Sequence, residues 1–325
     1  MSRLTKGTGG RYVAPLPARE LTAHSADGAR LHVEVHGAEK DPAIVLSHGW
    51  TCATTFWAPV TRDLVEAGYR VILYDQRGHG RTPAARPEAY TPATLSDDLV
   101  AVLGETLEPG EQAVLGGHSM GGMTLMAAAD RPELHEHAAA LLLCSTGGRN
   151  LAQESTVFPF RSAGVRRRTH RLLLTAKAPL GPSTPLTRRA LKYATMGRRS
   201  DAAQVEACAR LVHACPVKVR GAWGRVLTQL DVFAKLPGLT VPTAVLVGTA
   251  DRMTPTVHAR ELADALPQPA GFHALEGLGH MTPIESPETV AEVLKGLAAK
   301  HLDGADPPVH SNGSRTVSGT EKESA

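Results

Sequence analysis

One serine stands among four glycines in LGGHSMGGM, residues 115–123, and a serine can act as a nucleophile when the chain holds its hydroxyl in the open. The strand-like run QAVLGG ends just before Ser119, and the helix-like run MGGMTLMAAA begins just after it. A turn that sharp crowds the serine against its neighbours, and Gly117 and Gly121 have no side chain to clash there. The pattern makes Ser119 a candidate nucleophile, although an inert glycine-rich turn could have the same sequence.

A base and an acid that would activate this serine are found downstream. A serine hydroxyl is a poor nucleophile at neutral pH and needs a base to take its proton and an acid to orient that base. Asp251 follows the strand-like run TAVLVG, and His280 follows the next such run, GFHALE. Loops that follow parallel strands meet at one edge of the sheet, so these side chains can converge on Ser119. We therefore predict a triad of Ser119, Asp251 and His280, in one of the chain orders known for such triads.

Short apolar runs of strand length alternate with segments of helical periodicity along the chain. The strand-like runs span residues 31–36, 43–47, 71–75, 112–117, 140–145, 243–248 and 271–276, and the helical segments lie near 56–67, 92–107, 120–130, 256–266 and 287–300. This alternation predicts an α/β fold with a mostly parallel central sheet and helices on both faces. The charged stretch 149–235 lacks strands and is expected to be a helical insertion over the carboxyl edge of the sheet, where open α/β sheets bind ligands.

Composition divides the chain into five segments. A chain of 325 residues, 42% of them hydrophobic, can bury one core with an inserted subdomain. Residues 1–17 and 303–325 are rich in glycine, serine, proline and charge, and we expect both to be disordered. Residues 18–148 and 236–302 are expected to form the two parts of the core, on either side of the insertion at 149–235.

Several classes of function are disfavoured by the composition. A net charge of +3 is too small to indicate nucleic acid binding. The four cysteines fall outside any C-x-x-C spacing, so neither a disulfide framework nor a zinc site is expected. No apolar run is long enough for a signal sequence or a membrane span, which predicts a cytoplasmic protein.

Three further motifs resemble the α/β-hydrolase family over roughly residues 20–300, in its serine esterase and lipase-like branch with a helical lid. LSHGWTCATTFW resembles the loop after the third strand, YDQRGHGRT resembles the turn after the next strand, and DVFAKLPGLTVPTAVLVGTAD resembles the return from lid to core. The resemblance implies an oxyanion hole made by the backbone amides of Trp50 and Met120. Relatives that open epoxides or cleave carbon–halogen bonds have an aspartate at the position of Ser119, which argues against both chemistries.

The activity implied by these residues is hydrolysis of a carboxylic ester of a small to medium hydrophobic molecule through an acyl-enzyme on Ser119, with no metal or organic cofactor. Acyl thioesterase, lactonase and cofactor-free perhydrolase remain alternatives, because all use the same triad. A receptor for a small molecule is a further alternative, since this fold is also used without catalysis. The oligomeric state is left open.

The substrate pocket and the role of the insertion are less well defined by the sequence. Phe158, Phe160, Met253 and Met281 are candidates to line an acyl pocket, although large side chains near an active site often only pack. Residues 161–220 of the insertion contain fourteen Arg and Lys but only two acidic residues. This basic face could simply be solvated, or it could attract an anionic substrate, an acyl carrier or acidic lipid.

Overall fold

In residues 10–176 and 181–302, which the computed structural model describes, eight strands form one sheet. The strands are β1 (Arg19–His24), β2 (Arg30–His36), β3 (Ala43–Ser47), β4 (Arg70–Tyr74), β5 (Ala113–His118), β6 (Ala138–Cys144), β7 (Thr243–Gly248) and β8 (Pro269–Leu275). Their spatial order is β1-β2-β4-β3-β5-β6-β7-β8. The β1–β2 hairpin joins β4 in antiparallel orientation, and the remaining strands are parallel.

Burial explains why these runs form the middle of a sheet. Strands β3, β5, β6 and β7 are buried along their whole length, as expected for parallel strands with helices on both faces. The edge strand β1 is mostly exposed. All seven predicted strands are present, while β1 is an additional strand. The predicted α/β fold class is therefore confirmed.

Helices cover both faces of the sheet. They are α1 (Ala58–Glu66), α2 (Pro92–Thr106), α3 (Met120–Ala127), α4 (Pro132–His137), α5 (Leu151–Glu154), α6 (Ala163–Thr175), α7 (Pro185–Thr195), α8 (Ala202–Ala214), α9 (Val217–Leu227), α10 (Thr256–Ala265), α11 (Thr282–Glu285) and α12 (Pro287–His301). Helices α2, α3 and α10 contribute to the core on one face, and α1 and α12 contribute to the core on the other. In the described part of the chain, no helix is both long and apolar enough to cross a bilayer.

The segment between β6 and β7 contains the helices α5 to α9, so the insertion at 149–235 is helical where it is described. It contacts loops that follow the sheet strands. The indole Nε1 of Trp223 in α9 donates to the carbonyl oxygen of Arg77, after β4, at 2.9 Å. The indole Nε1 of Trp50, after β3, donates to the carbonyl oxygen of Arg220 at 3.0 Å. These bonds place the insertion at the carboxyl edge of the sheet.

Part of the N-terminal segment 1–17 differs from the expected disorder. Arg11 forms ion pairs of 2.8 Å with both Asp63 of α1 and Glu288 of α12. The side chain of Arg62 donates to the carbonyl oxygen of Val13 at 2.7 Å. Residues 10–17 are thus held against the core by polar contacts that the composition of the segment did not indicate. The disorder expected for residues 1–9 and 303–325 concerns positions outside the described residues.

Candidate active site

Ser119 occupies a strained turn between β5 and α3. Its backbone lies at φ 51° and ψ −115°, a region in which a residue with a side chain is rare and costly. The turn is fixed by hydrogen bonds on either side: the Ser119 amide donates to the carbonyl oxygen of Cys144 at 2.9 Å, and the Thr146 hydroxyl donates to the Ser119 carbonyl oxygen at 2.7 Å. Such strain held by surrounding contacts is typical of a functional turn.

The glycines around Ser119 are required by close backbone contacts. A Cβ atom at Gly117 would lie 2.4 Å from the carbonyl oxygen of Gly121, and one at Gly121 would lie 2.1 Å from the carbonyl oxygen of Ser47. Both distances are far shorter than a carbon–oxygen contact allows. The turn therefore accepts only glycine at these two positions, for the steric reason that the sequence suggested.

Asp251 and His280 form a buried hydrogen-bonded pair. Nδ1 of His280 lies 2.8 Å from Oδ2 of Asp251, and each residue is about 4% exposed. The backbone amides of Met253 and Thr254 donate to Oδ1 of Asp251 at 2.8 and 2.9 Å, so the carboxylate is fixed from the other side. This arrangement holds a proton on Nδ1 of His280 and leaves Nε2 as the nitrogen able to accept one.

Thr254 is a contributor to this pair that the sequence analysis missed. Its hydroxyl donates to Oδ2 of Asp251 at 2.9 Å and lies 3.2 Å from Nδ1 of His280. The local signal is that an aspartate side chain in a loop often accepts a hydrogen bond from the backbone two residues on, which places the following residues, Thr254 among them, around the carboxylate.

His118 connects the nucleophile turn to the histidine loop. Its Nε2 lies 2.8 Å from the carbonyl oxygen of His280, and the two imidazole rings lie 4.9 Å apart. Burial, with a smaller contribution from the nearby imidazole of His280, holds the pKa of His118 well below its usual value. His118 is therefore neutral and donates from Nε2. The role of His118 is structural, because its ring joins the nucleophile turn to the histidine loop.

The oxyanion-hole candidates lie on the loops after β3 and β5. Met120 is the first residue of α3, where a backbone amide has no partner within the helix. The loop that carries Trp50 passes close to the nucleophile, because a Cβ atom at Gly49 would lie 3.2 Å from the Cβ of Ser119. The amides assigned from the resemblance thus belong to neighbouring loops at one edge of the sheet.

The turn after β4 braces the loop of Trp50. Nε2 of His48 accepts a hydrogen bond from the Gln76 amide at 3.0 Å. Oδ1 of Asp75 accepts from the amide of Thr54 at 2.8 Å. Burial lowers the pKa of His48 to about 3, so its ring stays neutral and can accept this bond. These polar groups hold the loop in shape.

The predicted pocket residues do not occupy one environment. Phe158 and Phe160 stack on each other with ring centroids 6.2 Å apart, at the start of the insertion, and Phe160 is 45% exposed. Met281 is buried in the core on the α1 and α12 face. Met253 is partly buried beside Asp251. A cavity of about 340 Å³ lies beneath residues 12–17, but no triad residue lines it.

One group of side chains in the described residues has ligand atoms close enough to hold a metal ion. It consists of Glu20, His32 and Glu34 on the β1–β2 hairpin, with the ligand atoms within 4.8 Å of one another. The carboxylates already have partners, because Arg81 pairs with Glu20 at 2.6 Å and the Thr54 hydroxyl donates to Glu34 at 3.2 Å. None of these residues follows the strands that carry Ser119, Asp251 and His280.

Comparisons with known proteins agree with this fold. A family model described as "Hydrolase_4: Serine aminopeptidase, S33" matches residues 38–287. A protein of Variovorax paradoxus named "Putative carbamate hydrolase RutD" is 32% identical over 255 residues, which cover 77% of this chain and 89% of the relative. The chain therefore belongs to this hydrolase family, which has the α/β-hydrolase fold.

Solved structures give the same result. A thermophilic esterase from Thermogutta terrifontis is 25% identical, with a TM-score of 0.69 over 87% of this chain and 100% of that one. An enol-lactonase from Burkholderia xenovorans is 23% identical, with a TM-score of 0.66 over 86% of this chain and 100% of that one, which supports the fold alone. The resemblance stated from the motifs is confirmed at the level of an esterase-like α/β hydrolase.

Proposed function

We propose that this hydrolase cleaves a carboxylic ester of a small to medium hydrophobic molecule through an acyl-enzyme on Ser119. The observation that carries the proposal is the 2.8 Å hydrogen bond between Nδ1 of His280 and the buried Oδ2 of Asp251. The loop that contains His280 is in turn bonded to the nucleophile turn through His118. A histidine held in this tautomer has Nε2 free of a proton, so that this nitrogen can act as the base. The esterase among the structural neighbours supports the same reaction class.

In the proposed mechanism, Nε2 of His280 takes the Ser119 proton as Oγ attacks the acyl carbon. Asp251 stabilises the imidazolium that forms, and the amides of Trp50 and Met120 donate to the oxyanion, each contributing about 3 kcal/mol to the transition state. His280 then gives its proton to the leaving alcohol. Water attacks the acyl-enzyme by the same route and releases the acid.

Carbamate hydrolysis is a second candidate, because the Variovorax relative that aligns over 89% of its own length is named for it. A carbamate presents its carbonyl carbon to the same nucleophile and would leave a carbamoyl group on Ser119. The two candidates differ in which acyl group is transferred. Thioester, lactone and perhydrolase chemistry, and ligand binding without turnover, remain further alternatives for the same site.

The test compares p-nitrophenyl esters of graded acyl length with a matched p-nitrophenyl carbamate, in the presence of a chelator. We expect turnover of esters by the wild-type protein and none by Ser119→Ala. A fluorophosphonate should label the wild-type protein and the Ser162→Ala control, which changes an exposed serine of the insertion, but not Ser119→Ala. Labelling that persists in Ser119→Ala would identify a different nucleophile. Faster release of p-nitrophenol from the carbamate than from every ester would favour the second candidate.

A further inference from the structure

The exposed hydrophobic side chains of this protein are concentrated in the insertion. Nine large hydrophobic side chains are exposed in the described residues, and six of them lie between positions 160 and 193. The most exposed of the six are Leu172 of α6 (65%) and Leu186 of α7 (77%). Isolated exposed leucines are ordinary on a protein surface, but a concentration in one segment indicates an interaction surface.

The same segment has an extreme charge. Residues 161–200 contain eleven Arg and Lys and no Asp or Glu, whereas the whole chain has a net charge of only +3. The remainder of the chain is therefore net acidic. A strongly basic segment with exposed leucines is typical of helices that lie on anionic membrane surfaces.

Helix α6 presents both features side by side. Val165 and Leu172 are exposed two turns apart on one side of the helix with Arg168 between them, and Arg167 and Arg171 are exposed farther round the helix. His170 and Leu174 lie on the opposite side and are buried. The exposed side is therefore not the side that packs against the protein.

Helix α7 repeats this pattern. Leu186, Arg189, Ala190 and Tyr193 are exposed at the spacing of a single helix face. In the described part of the chain, neither Arg189 nor the exposed arginines of α6 form an ion pair. By contrast, Arg166 donates to the carbonyl oxygens of Gln153 and Phe160 and is occupied within the insertion. The unpaired guanidinium groups are available to an external anion.

We propose that the exposed faces of α6 and α7 dock on the surface of an anionic phospholipid bilayer. The leucines would enter the boundary between headgroups and acyl chains, and the arginines would pair with lipid phosphates. A second copy of the chain is a poorer occupant, because a symmetric dimer would place this basic surface against itself. A peptide partner is also poorer, because Leu172 and Leu186 are too exposed to form the walls of a groove.

Docking in this orientation would bring the bilayer to the edge of the sheet that carries the site. Helix α7 ends at Thr195, whose carbonyl oxygen accepts the amide of His280 at 2.8 Å. Helix α6 packs on α9, which is bonded to the loop after β4. Both helices thus cap the carboxyl edge, and amphiphilic molecules in the membrane would be delivered there. The binding inference does not depend on the reaction proposed above.

The experiment is sedimentation of the full chain, carrying Ser119→Ala so that lipid stays intact, with vesicles of phosphatidylcholine alone or mixed equally with phosphatidylglycerol. We expect binding to the mixed vesicles only, and weakening as salt rises. Changing Arg167, Arg168 and Arg171 to glutamine should weaken binding about a hundredfold, at about fivefold per charge. Leu172→Ser and Leu186→Ser should each weaken it roughly tenfold.

Matched controls separate this surface from charge and exposure in general. The charge control changes Arg30, Lys40 and Arg260 to glutamine, which removes three positive charges from exposed positions outside the insertion. The apolar control is Leu16→Ser, which removes an exposed leucine outside the insertion. Both controls should bind like the parent. Absence of binding to the mixed vesicles, or equal losses in test and control variants, would overturn the proposal. If light scattering shows that the parent protein is a dimer and that Leu172→Ser converts it to a monomer, the surface binds a second copy of the chain and the membrane proposal is overturned. Because Ser119→Ala is used throughout, failure here is distinguishable from failure to hydrolyse esters.

Discussion

Replacing Gly121 by alanine should push apart the turn that carries Ser119 and the loop that carries Trp50. The added Cβ would lie 2.1 Å from the carbonyl oxygen of Ser47, whereas real Cβ contacts essentially never fall below 3.0 Å. Either α3 or the end of β3 must therefore move by about 0.9 Å. Ser47 lies three residues before Trp50, and Gly121 lies two residues after Ser119, so we expect the movement to separate Ser119 from the candidate oxyanion amide of Trp50.

The size of the effect follows from that displacement. A misplacement of about 1 Å between reacting groups can cost about a hundredfold in rate, so kcat/KM should fall by about that factor, or about 2.7 kcal/mol of transition-state stabilisation. Inserting a methyl group into a packed interior also costs about 1–3 kcal/mol of stability. Activity should therefore fall by more than loss of folded protein can explain.

The assay is ester hydrolysis, with each rate divided by the folded fraction from circular dichroism. Gly104→Ala is the matched control, because this glycine is exposed in the last turn of α2 and a Cβ atom there would meet nothing within 4 Å. It should stabilise the protein by about 1 kcal/mol and leave kcat/KM unchanged. If the corrected kcat/KM of Gly121→Ala stays within threefold of wild type, the close packing of this turn does not determine the reaction geometry.

Three further changes probe the site and its surroundings. Asp251→Asn should lower kcat by about 10⁴ with little change in Tm, because the imidazole of His280 loses its tautomer partner; a fall below tenfold would contradict the triad. Incubation with a chelator should leave ester hydrolysis unchanged, and loss restored by a divalent ion would refute a metal-independent mechanism. Burial tends to raise the pKa of Glu34, but the imidazoles of His32 and His36 outweigh it and set this pKa at about 2. Because the unfolded value is 4.5, this group stabilises the fold above pH 4.5 by about 3 kcal/mol, and the contribution is lost as pH falls towards 2. Urea unfolding of Glu34→Gln should accordingly depend less on pH between 5 and 3 than that of wild type, and equal slopes would contradict this pKa.

The elements near the site could be predicted because each of them is specified by a pattern within a few neighbouring residues. Strands such as β3 and β7 are buried on both faces, so they are continuous apolar runs bounded by loops. The turn at Ser119 was predictable because its steric demand falls on residues two positions away, where only glycine fits. The acid and the histidine followed from their places after strands, since parallel strands end at a common edge.

Other contacts could not be predicted because they join distant parts of the chain. Strand β1 is exposed and polar, so its sequence lacks the apolar run typical of a strand. The order of residues 10–17 depends on Arg11 meeting acidic side chains from α1 and α12, which no local pattern shows. The burial of Met281 has a similar cause, because the core cluster that contains it is built from strands and helices that are distant in the sequence.

The hydrogen bonds at the end of α7 make the insertion part of the structure that holds the candidate base. The carbonyl oxygen of Thr195 accepts the amides of His280 at 2.8 Å and Met281 at 3.2 Å. Its hydroxyl is used within α7, where it donates to the carbonyl oxygen of Leu191. A Cβ atom at Gly279 would lie 2.4 Å from the carbonyl carbon of Met196, so the histidine loop and the insertion touch through backbone atoms. Any displacement of the end of α7 must therefore either move the backbone of His280 or break these bonds, which makes α7 part of the support of the candidate base.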